Sequence, residues 1–210
     1  MGTAGGAETW VERGLEVLAA RGPDAVRVEA LARSLGVTKG SFYWHFRDRR
    51  ALLRALLDRW EAVATLAIID QVDARGGDPA RRLRHLVRRT TGHPRAPRLE
   101  QAVRAWAASD AGARRVLARV DARREAYVRS LLVAHGLPRR TAAARTHLLY
   151  LALVGEFAWV SHGGATAGDA AWRELERLLL SAAGRRARPS ARPRHRARRP
   201  RRRGGPPAAP

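Results

Sequence analysis

The chain contains no cysteine. That excludes a disulfide framework, a thiolate metal site and a cysteine nucleophile. Long apolar runs are missing as well. The longest, Leu148 to Val160, is interrupted by Gly155 and Glu156. It falls short of the roughly 18 residues that a membrane-spanning helix needs. The stretch Met1 to Ala7 has neither the basic n-region nor the apolar h-region of a signal peptide. These absences point to a cytoplasmic protein with no membrane partner. Runs of β-branched residues are scarce and strict apolar/polar alternation does not occur, which leaves little from which to build a sheet. Enzyme signatures are missing too: there is no HExxH, P-loop, GxSxG or CxxC. The seven histidines are scattered without metal-ligand spacing. No catalytic residue, cofactor or metal is expected, and the chain does not read as an enzyme.

Acidic residues are outnumbered: 19 Asp and Glu stand against 41 Lys and Arg in 210 residues, a net charge of +22. The excess is uneven. Residues 1–60 carry ten basic and seven acidic groups, a net +3, and residues 61–183 carry twenty and twelve, a net +8. From Gly184 to Pro210 there are eleven arginines and no acid. A basic balance favours a polyanionic partner. A GC-rich genome, which turns Lys into Arg and enriches Ala, Gly and Pro, accounts for the same composition without selection. Residues 184–210 have no apolar periodicity and are expected to be a disordered basic tail. If about four of its arginines engaged DNA, the log–log salt dependence of binding would steepen by roughly 3.6.

What remains is long enough for one large or two small domains with a real core. Apolar residues recur at helical spacing almost throughout, and an all-α fold of about nine helices is expected. The first spans about Glu8 to Arg21 and ends at Gly22-Pro23. Short second and third helices run from Val28 to Leu35 and from Thr38 to Phe46. Asp48 caps a fourth that continues to Ala74, and Asp78-Pro79 opens a fifth to Thr91. Gly92 to Pro97 reads as a loop. The later helices are Leu99 to Ser109, one capped by Asp110 that ends at Gly136, one opened by Pro138 that runs to His162, and one capped by Asp169 that ends at Ala183.

Lysine is nearly absent, and the single one, Lys39, sits in Gly36-Val37-Thr38-Lys39-Gly40-Ser41-Phe42-Tyr43-Trp44-His45-Phe46. Four of the twelve aromatic residues are here too. Leu31, Ala32, Leu35, Val37 and Phe42 fall on inward positions. Ala32 is small where a second helix must cross closely. Gly36 takes the left-handed turn cheaply, and the Thr38 hydroxyl can cap the third helix. These are the requirements of a helix-turn-helix, whose second helix lies in the major groove. Phe42 and Phe46, four apart, face inward. Lys39 can donate to guanine O6 or N7, and Gly40 lets the backbone approach. Thr38, Ser41, Tyr43 and His45 can reach phosphate oxygens, and Tyr43 or Trp44 can pack on a thymine methyl or sugar. Arg49 adds charge at the start of the fourth helix.

Over Trp10 to Leu53 the chain resembles the TetR family of bacterial transcription regulators. The likeness rests on Gly22, Leu31-Ala32, Gly36-Val37, Tyr43-Trp44-His45-Phe46 and Arg50-Ala51-Leu52-Leu53. It implies that Lys39, Gly40, Ser41, Tyr43, Trp44, His45 and Arg49 occupy DNA-contact positions. Members often have a capping Thr where this chain has Arg27, which can reach a phosphate but accepts no capping bond. The resemblance also implies a helix-turn-helix DNA-binding domain over 8–50 and a ligand-binding and dimerisation domain over 51–183. The ligand pocket would lie among helices five to eight. Polar or aromatic residues inside apolar stretches are its candidates: Trp106, Tyr127, His147 and Tyr150, with Glu100 and Glu156 ranked behind them. The arginine pairs Arg88-Arg89 and Arg123-Arg124 read as a solvated face.

Helices eight and nine would form the homodimer. The apolar face of helix eight, independently of the resemblance, carries Leu148, Leu151, Ala152, Gly155 and Trp159. That of helix nine carries Trp172, Leu175, Leu178, Leu179 and Ala182. Two such pairs can form a four-helix bundle, and its two-fold axis would match a palindromic operator in double-stranded DNA. The expected function is a ligand-responsive transcriptional regulator, a repressor released from its operator by a small-molecule inducer. The alternative is a basic nucleoid-type protein that binds DNA without sequence preference.

Overall fold

The computed structural model describes residues 6–91 and 96–181. The expected basic tail from 184, Ala182 of the last apolar stripe and positions 92–95 of the expected loop lie outside the described residues. Among the described residues the fold is all-α and has nine helices. They are α1 (Ala7–Arg21), α2 (Val28–Leu35), α3 (Lys39–Tyr43), α4, α5 (Pro79–Thr91), α6 (Ala96–Ser109), α7 (Ala111–Ala134), α8 (Arg139–Ser161) and α9 (Asp169–Leu180). The long α4 runs as Arg49–Glu61, a π-helical turn Ala62–Leu66, and Ala67–Arg75. No helix among the described residues is long and apolar enough to cross a membrane.

Side-chain caps fix several of the helix starts. Asp48 accepts from the backbone N–H of Ala51 at 2.7 Å, Asp78 from Arg81 at 2.8 Å and Asp110 from Ala113 at 2.7 Å. Each satisfies a first-turn donor that has no partner within its helix. Several boundaries differ from the sequence expectation. α3 stops at Tyr43, and Trp44 and His45 form a turn rather than helix. α6 starts at Ala96, so Pro97 lies in its first turn instead of a loop. Proline is tolerated there because it lacks only an N–H that would be unpaired anyway. Asp169 is the first residue of α9, and its N-cap is Gly168 without a side-chain bond. A short 3₁₀ turn, Pro23–Ala25, fills the α1–α2 connection.

Two apolar clusters hold the helices. In the first, Trp10, Leu18, Val26, Leu31, Phe42, Leu52 and Leu56 of the segment from α1 to α4 are buried together with Val103 and Trp106 of α6 and Val120 of α7. One continuous core therefore links the helix-turn-helix to the later helices. Burying each large apolar side chain contributes about 1.5–3 kcal/mol. α1 and α4 approach so closely that a Cβ on Gly14 would stand 2.8 Å from Leu56 Cδ2. The second cluster joins Leu83 and Val87 of α5 with Leu132 of α7, Leu149 of α8 and Trp172 and Leu179 of α9.

Candidate nucleic-acid interface and ligand cavity

The turn between α2 and α3 is built by Gly36. It is left-handed (φ 68°, ψ 27°), a conformation that strains a residue with a Cβ. Its geometry lets the Val37 N–H donate to Ala32 O at 3.0 Å, which closes α2. Thr38 then caps α3 by accepting from the Ser41 N–H at 3.3 Å, and the Ser41 hydroxyl donates back to Thr38 O at 2.8 Å. The short helix is locked from beneath by Phe42. That ring is fully buried, meets Trp10 edge-on at 5.2 Å between centroids and lies 5.5 Å from Phe46. With Phe42 and Phe46 turned down, the outer face is fixed. Tyr43 is 56% and Trp44 87% exposed, and Thr38, Lys39, Gly40 and His45 are exposed beside them.

The basic groups around α3 are arranged unequally. Lys39 Nζ lies 2.5 Å from Glu29 Oε1 across the α2–α3 corner, and both side chains are about half exposed. The hydrogen bond between them holds the Lys39 ammonium above its ordinary pKa and the Glu29 carboxyl below. Glu29 did not stand out in the sequence, because only the folded corner brings it to Lys39. Arg27 is the N-cap residue of α2, without a side-chain cap, and its Nε donates to Asp24 O at 3.2 Å. Arg49 is partly buried. Its Nε donates to Val26 O at 2.6 Å and its Nη2 to Pro23 O. It therefore clasps the 3₁₀ turn ahead of α2 to the first turn of α4. These two bonds use two of the five N–H donors of the guanidinium and give Arg49 a bracing position at the corner of α2 and α4.

A cavity of about 510 Å³ lies among α1 and α4 to α9, within the usual size of small-molecule sites. Leu15, Ile68, Leu86, Val128, Leu153 and Phe157 supply apolar walls. Of the residues expected there, Tyr127, Tyr150 and Glu100 line it. Trp106, His147 and Glu156 do not. Trp106 is buried in the first cluster against the DNA-reading unit. His147 is on the outer side of α8, 3.6 Å from Glu125. Glu156 accepts from the Ala167 N–H at 2.8 Å and ties down the loop before α9.

The polar end of the cavity is a network the sequence did not reveal. Arg124, expected on a solvated face, is largely buried. It donates from Nε to Thr65 Oγ1 at 2.9 Å, from Nη1 to Glu100 Oε1 at 2.9 Å and from Nη2 to Ala64 O at 3.2 Å. Its guanidinium lies over the Trp60 ring, 5.2 Å from the centroid. Arg104 bridges Glu100 and Asp121, both at 2.9 Å, and donates to Tyr150 Oη at 3.0 Å. The Tyr150 hydroxyl in turn donates to Asp121. Burial works against the Arg124 charge, but Glu100 outweighs it and holds the guanidinium above its ordinary range. Burial pushes the Tyr150 and Tyr127 hydroxyls up, so both stay neutral. A helical repeat does not show which of two adjacent arginines turns inward; α7's packing on the π-turn of α4 selects Arg124.

On the opposite side of α8, Leu148, Leu151 and Trp159 are each more than half exposed, as is Leu178 on α9. Gly155 lies in the same stripe with open space around it. The stripe expected on α9 divides: Trp172 and Leu179 turn inward into the second cluster, and among its described residues Leu178 alone is strongly exposed.

Residues 11–56 match the model of bacterial regulatory proteins, tetR family. The chain is 42% identical over 50 residues to the class A tetracycline repressor protein of transposon 1721 from Escherichia coli. The match covers 24% of this chain and 23% of that one. It is 38% identical over 47 residues to the HTH-type transcriptional regulator SrpR of Pseudomonas putida, covering 22% of each. The match thus spans less than a quarter of these two relatives. The fold likeness is broader. A transcriptional regulator from Rhodococcus sp. Rha1 superposes with a TM-score of 0.62 at 23% identity, over 83% of this chain and 91% of that one. A regulator of the TetR/AcrR family from Thermobifida fusca gives 0.61 at 21% identity, over 85% and 98%.

Proposed function

We propose that this chain, whose helix-turn-helix over residues 11–56 belongs to the tetR family of bacterial regulatory proteins, is a homodimeric transcriptional repressor released from its operator by a small molecule. The observation that carries the reading is the split of α3 and the turn after it. Phe42 is fully buried while Tyr43 and Trp44 stand in solvent. Large exposed aromatics beside a cation, on a short helix and the turn that follows it, mark an interaction surface. Major-groove recognition asks for that arrangement. Lys39, Gly40, Tyr43 and Trp44 face the base edges. Thr38, Ser41, His45 and Arg27 hold phosphates and set the register. Arg49 acts from behind by clasping the turn ahead of α2 to α4.

The exposed stripe of α8 with Leu178 supplies the dimer face, and its two-fold axis places two copies of α3 about one turn of DNA apart, roughly 34–36 Å. The cavity takes the inducer. Because one core runs from Phe42 through Leu56 to Val103 and Val120, a shift of α4 moves the recognition helix as a body. The two states differ in operator affinity by the ligand's differential binding. Residues 8–50 then read DNA, and residues 51–183 sense the ligand and form the dimer.

Fluorescence anisotropy tests this against the DNA upstream of the chain's own gene and against a scrambled duplex, at physiological salt. The regulator binds its own upstream DNA at least ~10³ times tighter. Equal affinities would mean a protein that coats DNA without choosing a sequence.

A further inference from the structure

The irregular turn of α4 forms part of the cavity wall. Ala62–Leu66 is π-helical, and such turns are rare, single and concentrated at functional sites. Arg124 occupies this turn with two of its three donor groups, Nη2 on Ala64 O and Nε on Thr65 Oγ1. Its guanidinium also covers Trp60, just ahead of the turn. The remaining donor, Nη1, is anchored to Glu100 on α6. Trp60, Ala64, Thr65, Glu100 and Arg124 all line the cavity. Trp60 also belongs to the core that contains Phe42 and Trp10. Arg124 is thus placed to report on the cavity and to hold the backbone of the helix that carries the DNA-reading unit.

The charges of the wall decide what the cavity accepts. The wall carries Arg59, Arg89 and Arg124 against Glu12, Glu16 and Glu100, and Arg124 is paired with Glu100, which Arg104 also contacts. A buried anion would add net charge to a balanced set and compete with Glu100 for Arg124, a costly exchange. An uncharged molecule with an acceptor oxygen needs only one of the bonds that Arg124 makes to the π-turn. We propose that the cavity takes an uncharged, largely apolar ligand bearing one hydrogen-bond acceptor, and that this acceptor draws Arg124 off the π-turn so that α4 re-registers beneath the DNA-reading unit. Resolving a π-turn into α-helix shifts the register by one residue, about 1.5 Å of rise. The proposal rests on the reading of the cavity as the inducer site.

Hydrogen exchange by mass spectrometry at amides 62–67 of the full chain tests the latch without any ligand. Arg124→Gln and Thr65→Val, the second leaving every charge in place, are each expected to raise exchange there at least tenfold. Unchanged exchange in both overturns the latch. Three two-ring probes then test the ligand class. Benzophenone carries a carbonyl acceptor, diphenylmethane has none and diphenylacetate is an anion. Benzophenone and diphenylmethane should both raise the melting temperature, and only benzophenone should raise exchange at 62–67. Equal effects of these two on exchange overturn the acceptor's role. Diphenylacetate should bind at least tenfold more weakly than benzophenone; comparable binding overturns the uncharged class. A different failure identifies the underlying reading as wrong: no probe binds, or binding survives Leu153→Trp, which fills the cavity. In that case the cavity is not the inducer site, whatever the latch variants show.

Discussion

Truncating the two faces of the α3 region one at a time should separate stability from DNA binding. Phe42 has no exposed surface and three aromatic neighbours, Trp10 at 5.2 Å, Tyr43 at 5.3 Å and Phe46 at 5.5 Å. Phe42→Ala removes that contact and leaves a cavity, at a cost of about 3–5 kcal/mol, of which roughly 0.5–1.5 kcal/mol belongs to each aromatic pair. Against a total stability of about 5–15 kcal/mol, the helix-turn-helix is expected to be largely lost. Trp44, two residues on, is 87% exposed, so Trp44→Ala should change stability by no more than about 0.5 kcal/mol. If Trp44 packs against DNA as an aromatic anchor, its truncation costs about 2 kcal/mol of binding, roughly a thirtyfold loss of affinity. Urea unfolding followed by circular dichroism gives the first quantity, and anisotropy with the upstream duplex gives the second. Circular dichroism is preferable to tryptophan emission because the chain has six tryptophans. A Trp44→Ala protein destabilised by more than about 2 kcal/mol would show that Trp44 serves the fold. A stable one that binds its duplex within twofold of wild type would remove Trp44 from the interface.

The dimer face and the charge pairs beneath α7 are open to equally direct tests. Leu151 is 54% exposed in the apolar stripe of α8, so Leu151→Glu should yield a folded monomer by analytical ultracentrifugation with unchanged helical signal; a dimer of undiminished affinity would place the interface elsewhere. Glu61 is 10% exposed and paired with Arg119 and Arg123, and the Arg119 hydrogen bond, against the cost of burial, holds its carboxyl below the ordinary 4.5. A carboxyl with a lowered folded pKa stabilises the protein above its unfolded value and loses that contribution as pH falls through the folded one. The stability gap between wild type and Glu61→Gln in urea should therefore be full at pH 7 and shrink below about pH 4.5; a gap that persists undiminished in strong acid would mean the pair contributes nothing through its charge.

How much was legible depended on whether the signal was local. Caps at Asp48, Asp78 and Asp110 and the turn at Gly36 follow from bonds spanning three to five residues, so the sequence displays them. The inward positions of α2 and α3 follow from helical periodicity, and burial matches them at Leu31, Ala32 and Phe42. The cavity behaved differently. Tyr150 and Tyr127 line it while Trp106 and His147 do not, because which face of a helix meets an empty space depends on the crossing angles of its neighbours. Arg49 and Lys39 make the same point at the DNA-reading end. Both are basic and both sit near α3, yet one clasps carbonyls 23 and 26 residues earlier and the other pairs with Glu29 across a corner.

Local chemistry along the chain was enough to establish that it is helical, where most helices start, which residues of α3 turn inward and that an exposed face carries Lys39, Tyr43 and Trp44. Each of these rests on hydrogen bonds and periodicity within one or two turns. The packing of distant helices was needed to take Arg124 off the surface, to set Glu100 between two arginines and to bring a π-turn in α4 against both the cavity and the core of the DNA-reading unit. A guanidinium goes inside where a carboxylate, a hydroxyl and a backbone carbonyl converge to replace its water. Here those groups come from α6 and α4, 24 to 60 residues away.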